Sequence, residues 1–357
     1  MTAADSSTLA HPRSASAWFW LGLKWSLFAA VIVFVGQRAY LLWEQDKGAL
    51  RQVDVKTGWL VLAGIVYAIG WLPSVWFWRK LMQRLGSDVG YRDTARAYYC
   101  GQLGKYLPGK AAVLVIRSAL MKERGAGAAV AAVTATFETL LMMGTGIAVG
   151  LALVPSLLTA SLIATGPVWI QRLIGIPGLP AVIALTLLAL SLPILSKLLT
   201  YVAVRLTPRS FLDGEAAVRI EPRLVAAGLL AFVVGWSIHG LSLGLTIRAI
   251  SPQAFTLADW PLWIGSVSAA TAIGFIAIFA PGGVGVREGL LIELLRVQPA
   301  IGPQRAVVAA VLLRAVWFSA EIVVSTTLYY TIRPVSAESR GNEVPDVEKP
   351  TRPDSKD

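Results

Sequence analysis

The chain reads as long apolar runs separated by short, mostly basic segments. Six runs are long enough to cross a membrane as helices: 18–36, 57–78, 127–154, 181–206, 224–247 and 306–332. A helical crossing takes roughly 20 apolar residues. Some runs carry polar residues inside. Lys24 lies near the start of the first, Pro193 and Lys197 in the fourth, His239 in the fifth, and Arg314 with Glu321 in the last. The flanks are polar tails, 1–17 and 333–357, and the second is expected to be disordered. The stretch 155–180 is apolar but broken by Pro155, Pro167, Pro177 and Pro180. It is expected to be an interfacial loop with at most a short helix.

Two further apolar stretches, 95–121 and 260–297, are interrupted by Pro108-Gly109 and by Pro281-Gly282-Gly283. Proline removes a backbone donor, and glycine permits a reversal. Within lipid, such a break is tolerated only where protein or a wet cavity surrounds it. Each stretch therefore predicts a re-entrant hairpin that enters and leaves on one face, the second ending in a short amphipathic helix over 288–297. The two regions also resemble each other. "YLPGKAAVLVIRSALMKERGAGAAVAAVTATFE" and "FAPGGVGVREGLLIELLRVQPAIGPQRAVVAAVLLRAVWFSAE" both run from Pro-Gly through an Arg and an apolar helix to a polar break and a span. Arg117 matches Arg287 with a gap of three residues.

The predicted fold class is thus all-α: a polytopic integral membrane helical bundle with an inverted repeat and two re-entrant Pro-Gly hairpins. Its halves are 18–154 and 181–332. Three crossings plus one hairpin per half is an odd count, so the halves are expected to be inverted. Both termini are then expected in the cytoplasm, where Lys and Arg fall in excess. Arg38, Lys47, Arg51 and Lys56 in the 37–56 loop run against that bias. The run from residue 18 lacks a small-residue cleavage site, so it is read as a retained span rather than a removed signal peptide.

Composition agrees. Of 357 residues, 55% are apolar and 15% charged, with thirteen Trp; soluble domains carry about a quarter charged residues. The net charge of +11 fits cytoplasmic loops facing anionic lipid. No aromatic-studded basic module is present, so nucleic acid is not an expected partner. One cysteine, Cys100, and two histidines far apart, His11 and His239, exclude an intrachain disulfide and give no metal-ligand spacing. No metal and no cofactor are expected. Gly144, Gly146 and Gly150 lie inside a span with no strand before them, so they are not a dinucleotide fingerprint. The segment from Gly104 to Lys110 lacks the Ser or Thr of a nucleotide loop. Gly146 with Gly150, and Gly240 with Gly244, are spaced for close helix contact. The clusters Trp18/Trp20/Trp25 and Trp71/Trp76/Trp78 read as interface belts.

Candidate working residues are the ionisable groups in apolar surroundings, which are costly to bury. Arg287 and Glu288 follow the Gly-rich turn at Pro281-Gly282-Gly283, where a planar guanidinium and free backbone N–H groups suit a phosphate. The alternative is an interfacial helix cap with a structural salt bridge. Arg117, Lys105 and Lys110 form the first-half counterpart around Pro108-Gly109; snorkelling lysines are the competing explanation. Glu138 is the lone charge between Gly125 and Gln171, so it needs a partner or a proton. An Arg from a hairpin is the natural partner. Arg314 and Glu321 stand two helical turns apart on one face. His239 is a proton relay or a satisfied core histidine.

"GQLGKYLPGKAAVLVIR" followed by "TATFETLL", and "APGGVGVREGLL" followed by "AAVLLRAVWF", resemble the lysylphosphatidylglycerol synthetase transmembrane family. That family comprises the flippase region of MprF-type proteins and their stand-alone YbhN-like relatives. The resemblance covers roughly residues 18 to 332. It implies an inner-membrane protein that moves a lipid across the bilayer. The soluble aminoacyltransferase domain of the longer family members is missing here, so this chain is not expected to make a lysyl-lipid. The expected function is a lipid flippase, not an enzyme. Its cargo would be a phospholipid or a polyprenyl-phosphate-linked glycolipid, moved for cell-envelope biogenesis. The alternatives are a membrane-embedded lipid-modifying transferase, or a non-catalytic partner of an envelope-lipid pathway. Candidate protein partners are a second copy of the chain or an envelope-lipid synthase.

Overall fold

A computed structural model describes residues 55–107, 111–158, 163, 165–176, 178–206, 220–277 and 283–332, with the isolated positions 26, 33, 37 and 40. Among these residues there is no strand. The helices are α1 (Thr57–Gly70), α2 (Leu72–Arg84), α3 (Tyr91–Gln102), α4 (Ala111–Lys122), α5 (Ala128–Ala152), α6 (Val168–Gly175), α7 (Leu179–Leu206), α8 (Pro222–Ile250), α9 (Trp260–Ile276), α10 (Val286–Arg296) and α11 (Gly302–Thr331). Single turns occupy Leu103–Tyr106 and Val154–Leu157. Five segments are long and apolar enough to cross a membrane: Thr57–Arg84, Ala128–Ala152, Leu179–Arg205, Pro222–Ile250 and Gly302–Thr331. The first expected span, 18–36, lies almost wholly outside the described residues, as do the two tails.

Several boundaries follow from turn chemistry. The expected span 57–78 is longer and in two pieces: α1 ends at Gly70, and Pro73 sits in the first turn of α2, where its missing N–H costs nothing. Prolines likewise open α8, α9 and α11. α10 begins after Gly285, whose φ of 86° suits glycine. The segment 155–180 holds the eight-residue α6.

The two interrupted stretches form helix pairs, α3 with α4 and α9 with α10, and each pair packs on itself. With 12, 12 and 11 residues, α3, α4 and α10 are only ~16–18 Å long, against ~30 Å of hydrocarbon. Pro108, Gly109, Lys110, Pro281 and Gly282 lie outside the described residues. The packing is reciprocal between halves. α3 packs on α11, the last span of the second half, and α9 packs on α5, the last span of the first.

The second spans of the two halves run antiparallel in close register. Lys56 N–H donates to Ala249 O at 2.9 Å. Ser242 Oγ donates to Ala63 O at 2.9 Å. Gly235 faces Gly70 O, and Gly228 faces the Phe77 ring. Each step of seven residues forward along α1–α2 is seven back along α8, the spacing of helices that interlock at a shallow angle. Equivalent elements running antiparallel are what an inverted repeat requires.

The small-residue spacings act as expected. A Cβ at Gly240 would lie 2.7 Å from the Ile264 backbone, and one at Gly146 2.8 Å from the Trp236 ring. The Trp71/Trp76/Trp78 belt is a correction. Trp71 is 8% exposed and Trp78 0%, and both rings pack inside the bundle. An indole with one N–H and a flat apolar body suits a headgroup layer and a buried polar cluster equally well. Here the Trp78 N–H donates to Thr134 Oγ1 at 3.0 Å.

Candidate functional site

The polar interior is built around three carboxylates. Glu138, midway along α5, receives Arg117 from α4 at 2.9 Å, with both side chains at most 2% exposed. Tyr98 on α3 donates to the other carboxylate oxygen at 2.8 Å. The Arg117 guanidinium stacks 3.8 Å above the Tyr98 ring and 5.1 Å from that of Trp78. The lone carboxylate of the long uncharged stretch thus has a hairpin arginine as its partner. Gly101 on α3 makes this possible, because a Cβ there would lie 2.5 Å from Arg117 Cγ.

Arg287 occupies the matching place on α10. Gly274 of α9 gives it room, with a Cβ there falling 3.1 Å from Arg287 Cβ. The Gly101–Arg117 interval exceeds the Gly274–Arg287 interval by three residues, the same offset that relates the two Pro-Gly-to-Arg spacings. Two glycine–arginine contacts in one register give the repeat a structural basis. Arg287 lies 3.2 Å from Glu288, and its guanidinium sits 5.0 Å from the Trp317 ring. Glu288 also accepts from the Gly285 N–H at 2.8 Å, capping α10, and stands 3.7 Å from Arg314. A helix cap and an arginine site are therefore the same carboxylate.

The third carboxylate joins the halves. Glu321 on α11 accepts hydrogen bonds from Tyr67 of α1, from Lys105 and from Tyr106, the last at 2.8 Å. Arg117 and Lys105, expected to form one group, are thus divided between Glu138 and Glu321. Arg314 and Glu321, expected on one face, take different partners, Glu288 and Lys105.

His239 on α8 is 1% exposed. Its ring lies between those of Tyr67, Trp71, Trp236 and Trp317, at centroid distances of 5.2, 4.8, 5.9 and 5.7 Å. Its Nε2 has no hydrogen-bond partner among the described residues, while the ring hydrogen-bonds to the Tyr67 backbone. Gly70 accommodates it, since a Cβ there would fall 2.5 Å from the imidazole.

These groups converge on one cavity of about 360 Å³, lined by Lys105, Arg117, Glu138, His239, Gly283 and Arg287 together with aromatic side chains. Glu288, Arg314 and Glu321 stand behind its wall as ion partners of lining residues or of one another. Both helix pairs and the spans α1, α5, α8 and α11 contribute. An apolar groove of about 350 Å³ runs between α5 and α7, and Leu140 lines both spaces. Among the described residues no group of His, Cys, Asp and Glu could hold a metal ion.

Sequence reasoning missed the tyrosines 67, 98 and 106, the spacer glycines 101 and 274, and Thr271, which also lines the cavity. The only signal was a phenol or hydroxyl within an apolar run, which packing alone also explains. A family model described as Lysylphosphatidylglycerol synthase TM region matches residues 18–324. No curated protein matches the chain closely enough to serve as a relative.

Proposed function

Since the chain belongs to the lysylphosphatidylglycerol synthase transmembrane family, we propose that it carries a lipid headgroup across the inner membrane through the cavity between its two helix pairs. The observation that carries this reading is the convergence of Arg117 and Arg287, from matching positions of the two pairs, on one cavity. The barrier to unaided flipping is the transfer of a charged headgroup into hydrocarbon, where unpaired charge is strongly disfavoured. Guanidinium and ammonium groups already held by carboxylates and phenols supply a preorganised replacement for water. A lipid phosphate would exchange with Glu138, Glu288 or Glu321 for these cations as it moves.

The hydrocarbon tails stay outside. The groove between α5 and α7 meets the cavity at Leu140, so a headgroup inside and a tail on an apolar flank are compatible with one bound lipid. The two helix pairs act as re-entrant gates that open the cavity alternately to each side. Movement is downhill or coupled to protons, with Glu138 and His239 as the groups positioned for coupling.

The test is headgroup translocation in proteoliposomes by the purified chain, by Arg287→Gln and by the Arg117→Met/Glu138→Met double variant. Loss of transport in both variants, with retained thermal unfolding, supports the reading. Full activity in both discards the cavity as the path. Absence of transport by the unaltered chain, with co-purification of a stoichiometric protein, replaces the flippase with a partner subunit. Turnover of an activated donor replaces it with a transferase.

A further inference from the structure

The groove between α5 and α7 differs in chemistry from the cavity. Among the described residues that line it none is charged, and the only polar side chains are those of Thr145 and Ser191. Both hydroxyls donate to carbonyls of their own helix, Leu141 O at 2.8 Å and Leu188 O at 2.7 Å. Such back-bonding leaves nothing to hold a polar group. The lining extends along α5 from Phe137 to Leu151, a rise of about 21 Å. At ~30 Å³ for each water-sized group, its volume of about 350 Å³ holds about a dozen methylene-sized groups. That is the scale of one acyl chain, too small for two and far too small for a long polyprenyl tail.

Gly144 opens this space. A Cβ at Gly146 would fall 2.8 Å from the Trp236 ring, and one at Gly150 3.2 Å from Ala269, so close helix contact accounts for both. A Cβ at Gly144 meets nothing within 4 Å, although glycine weakens a helix interior. Contact between helices therefore gives no reason for a glycine here. Gly144 lines the groove, and the exposed side chains of Leu140, Ile147 and Leu151 continue from it along one stripe of α5.

A free hydrocarbon chain has little reason to leave lipid for this groove, because lipid tails are as apolar as leucine. A chain tethered to a headgroup in the cavity has one. Leu140 lines both spaces, so the tether holds the chain beside the groove at high effective concentration.

We infer that the α5–α7 groove is a slot for one acyl chain of a phospholipid whose headgroup occupies the cavity, with the bare backbone of Gly144 as its floor. The inference rests on the transport reading for the headgroup's place, but its test reads where the chain lies.

The full chain is reconstituted in phosphatidylcholine vesicles containing traces of phosphatidylglycerol or phosphatidylethanolamine with a diazirine in one acyl chain. Adducts are mapped by peptide mass spectrometry after illumination. Leu140 and Leu187 lie in the groove; Val182 and Leu190 are similarly exposed on α7 outside it. The expected result, with at least one of the two probes, is about tenfold more adduct at the first two than at the second two, as a tethered chain requires. Gly144→Leu should abolish the preference and Gly144→Ala should reduce it. Both place their side chains in open space, so unchanged thermal unfolding should accompany the loss. A free fatty acid with the same diazirine should label all four positions alike. Even labelling by both phospholipids overturns the slot and leaves ordinary surrounding lipid. An unchanged preference in Gly144→Leu overturns the role of Gly144. Stronger groove labelling by a diazirine-bearing polyprenyl phosphate overturns the acyl assignment. A preference shown equally by the free fatty acid and by Arg287→Gln upholds the slot but removes the tether, and with it the reading of the cavity as a headgroup site.

Discussion

Removing the Glu138 carboxylate leaves Arg117 buried without its only ion-pair partner among the described residues, and removing the guanidinium does the reverse. Breaking one side of such a pair costs about 3–5 kcal/mol, whereas replacing both partners by apolar groups of similar volume is often neutral. Arg117→Met and Glu138→Gln should each lower thermal stability in detergent strongly, while the Arg117→Met/Glu138→Met double variant recovers most of it. The double variant should still fail to transport, which separates the structural duty of the pair from its proposed work. At this scale the sequence was legible where electrostatics forced a partner. A single carboxylate in a long uncharged stretch needs a cation, and the nearest hairpin arginine supplied it. It was not legible for Tyr67, Tyr98 and Tyr106. A phenol in an apolar run carries no charge that demands an explanation, and only the fold reveals that its O–H points at a carboxylate. The buried Trp71 and Trp78 were misread for a related reason, since one ring suits two wet environments.

Between elements, the antiparallel contact of α1–α2 with α8 depends on glycines at regular intervals. A Cβ at Gly228 would fall 2.3 Å from the Phe77 ring, so Gly228→Ala forces a fully buried aromatic to move. Overpacking of this kind costs about 1–3 kcal/mol, and the loss should appear as a lower melting temperature. Gly144 on α5 has nothing within 4 Å of a Cβ. Gly144→Ala should be neutral or slightly stabilising, because alanine is the better helix former. Equal effects of the two substitutions would deny the close contact. Span positions were legible because an apolar helix of membrane length leaves few alternatives. The break at Trp71 was signalled by Pro73 but hidden by the uninterrupted hydrophobicity around it. The glycine–arginine contacts of the two helix pairs were beyond reach, since the pairs must fold before Gly101 and Arg117 meet.

For the molecule as a whole, the prediction concerns sidedness. In the paired-hairpin topology, a reporter fused after Asp357 is active only when assayed in the cytoplasm; periplasmic activity would mean that 260–297 crosses fully and the halves are not inverted. The reciprocal packing of α3 on α11 and of α9 on α5 makes the arrangement self-consistent, because each half completes the other's interior. The repeat was visible in sequence only as a loose likeness of apolar strings, and it gained its meaning from two arginines in equivalent contacts.

The bond between Lys105 and Glu321 spans 216 residues of chain. A ribosome adding ~5–20 residues per second needs about 10–40 s to make that stretch. Throughout that interval the nascent first half sits in the bilayer with an ammonium whose counter-ion has not yet been synthesised. Insertion is therefore complete only when the final helix arrives. A chain arrested before residue 321 should be an easier target for membrane proteases than the finished protein.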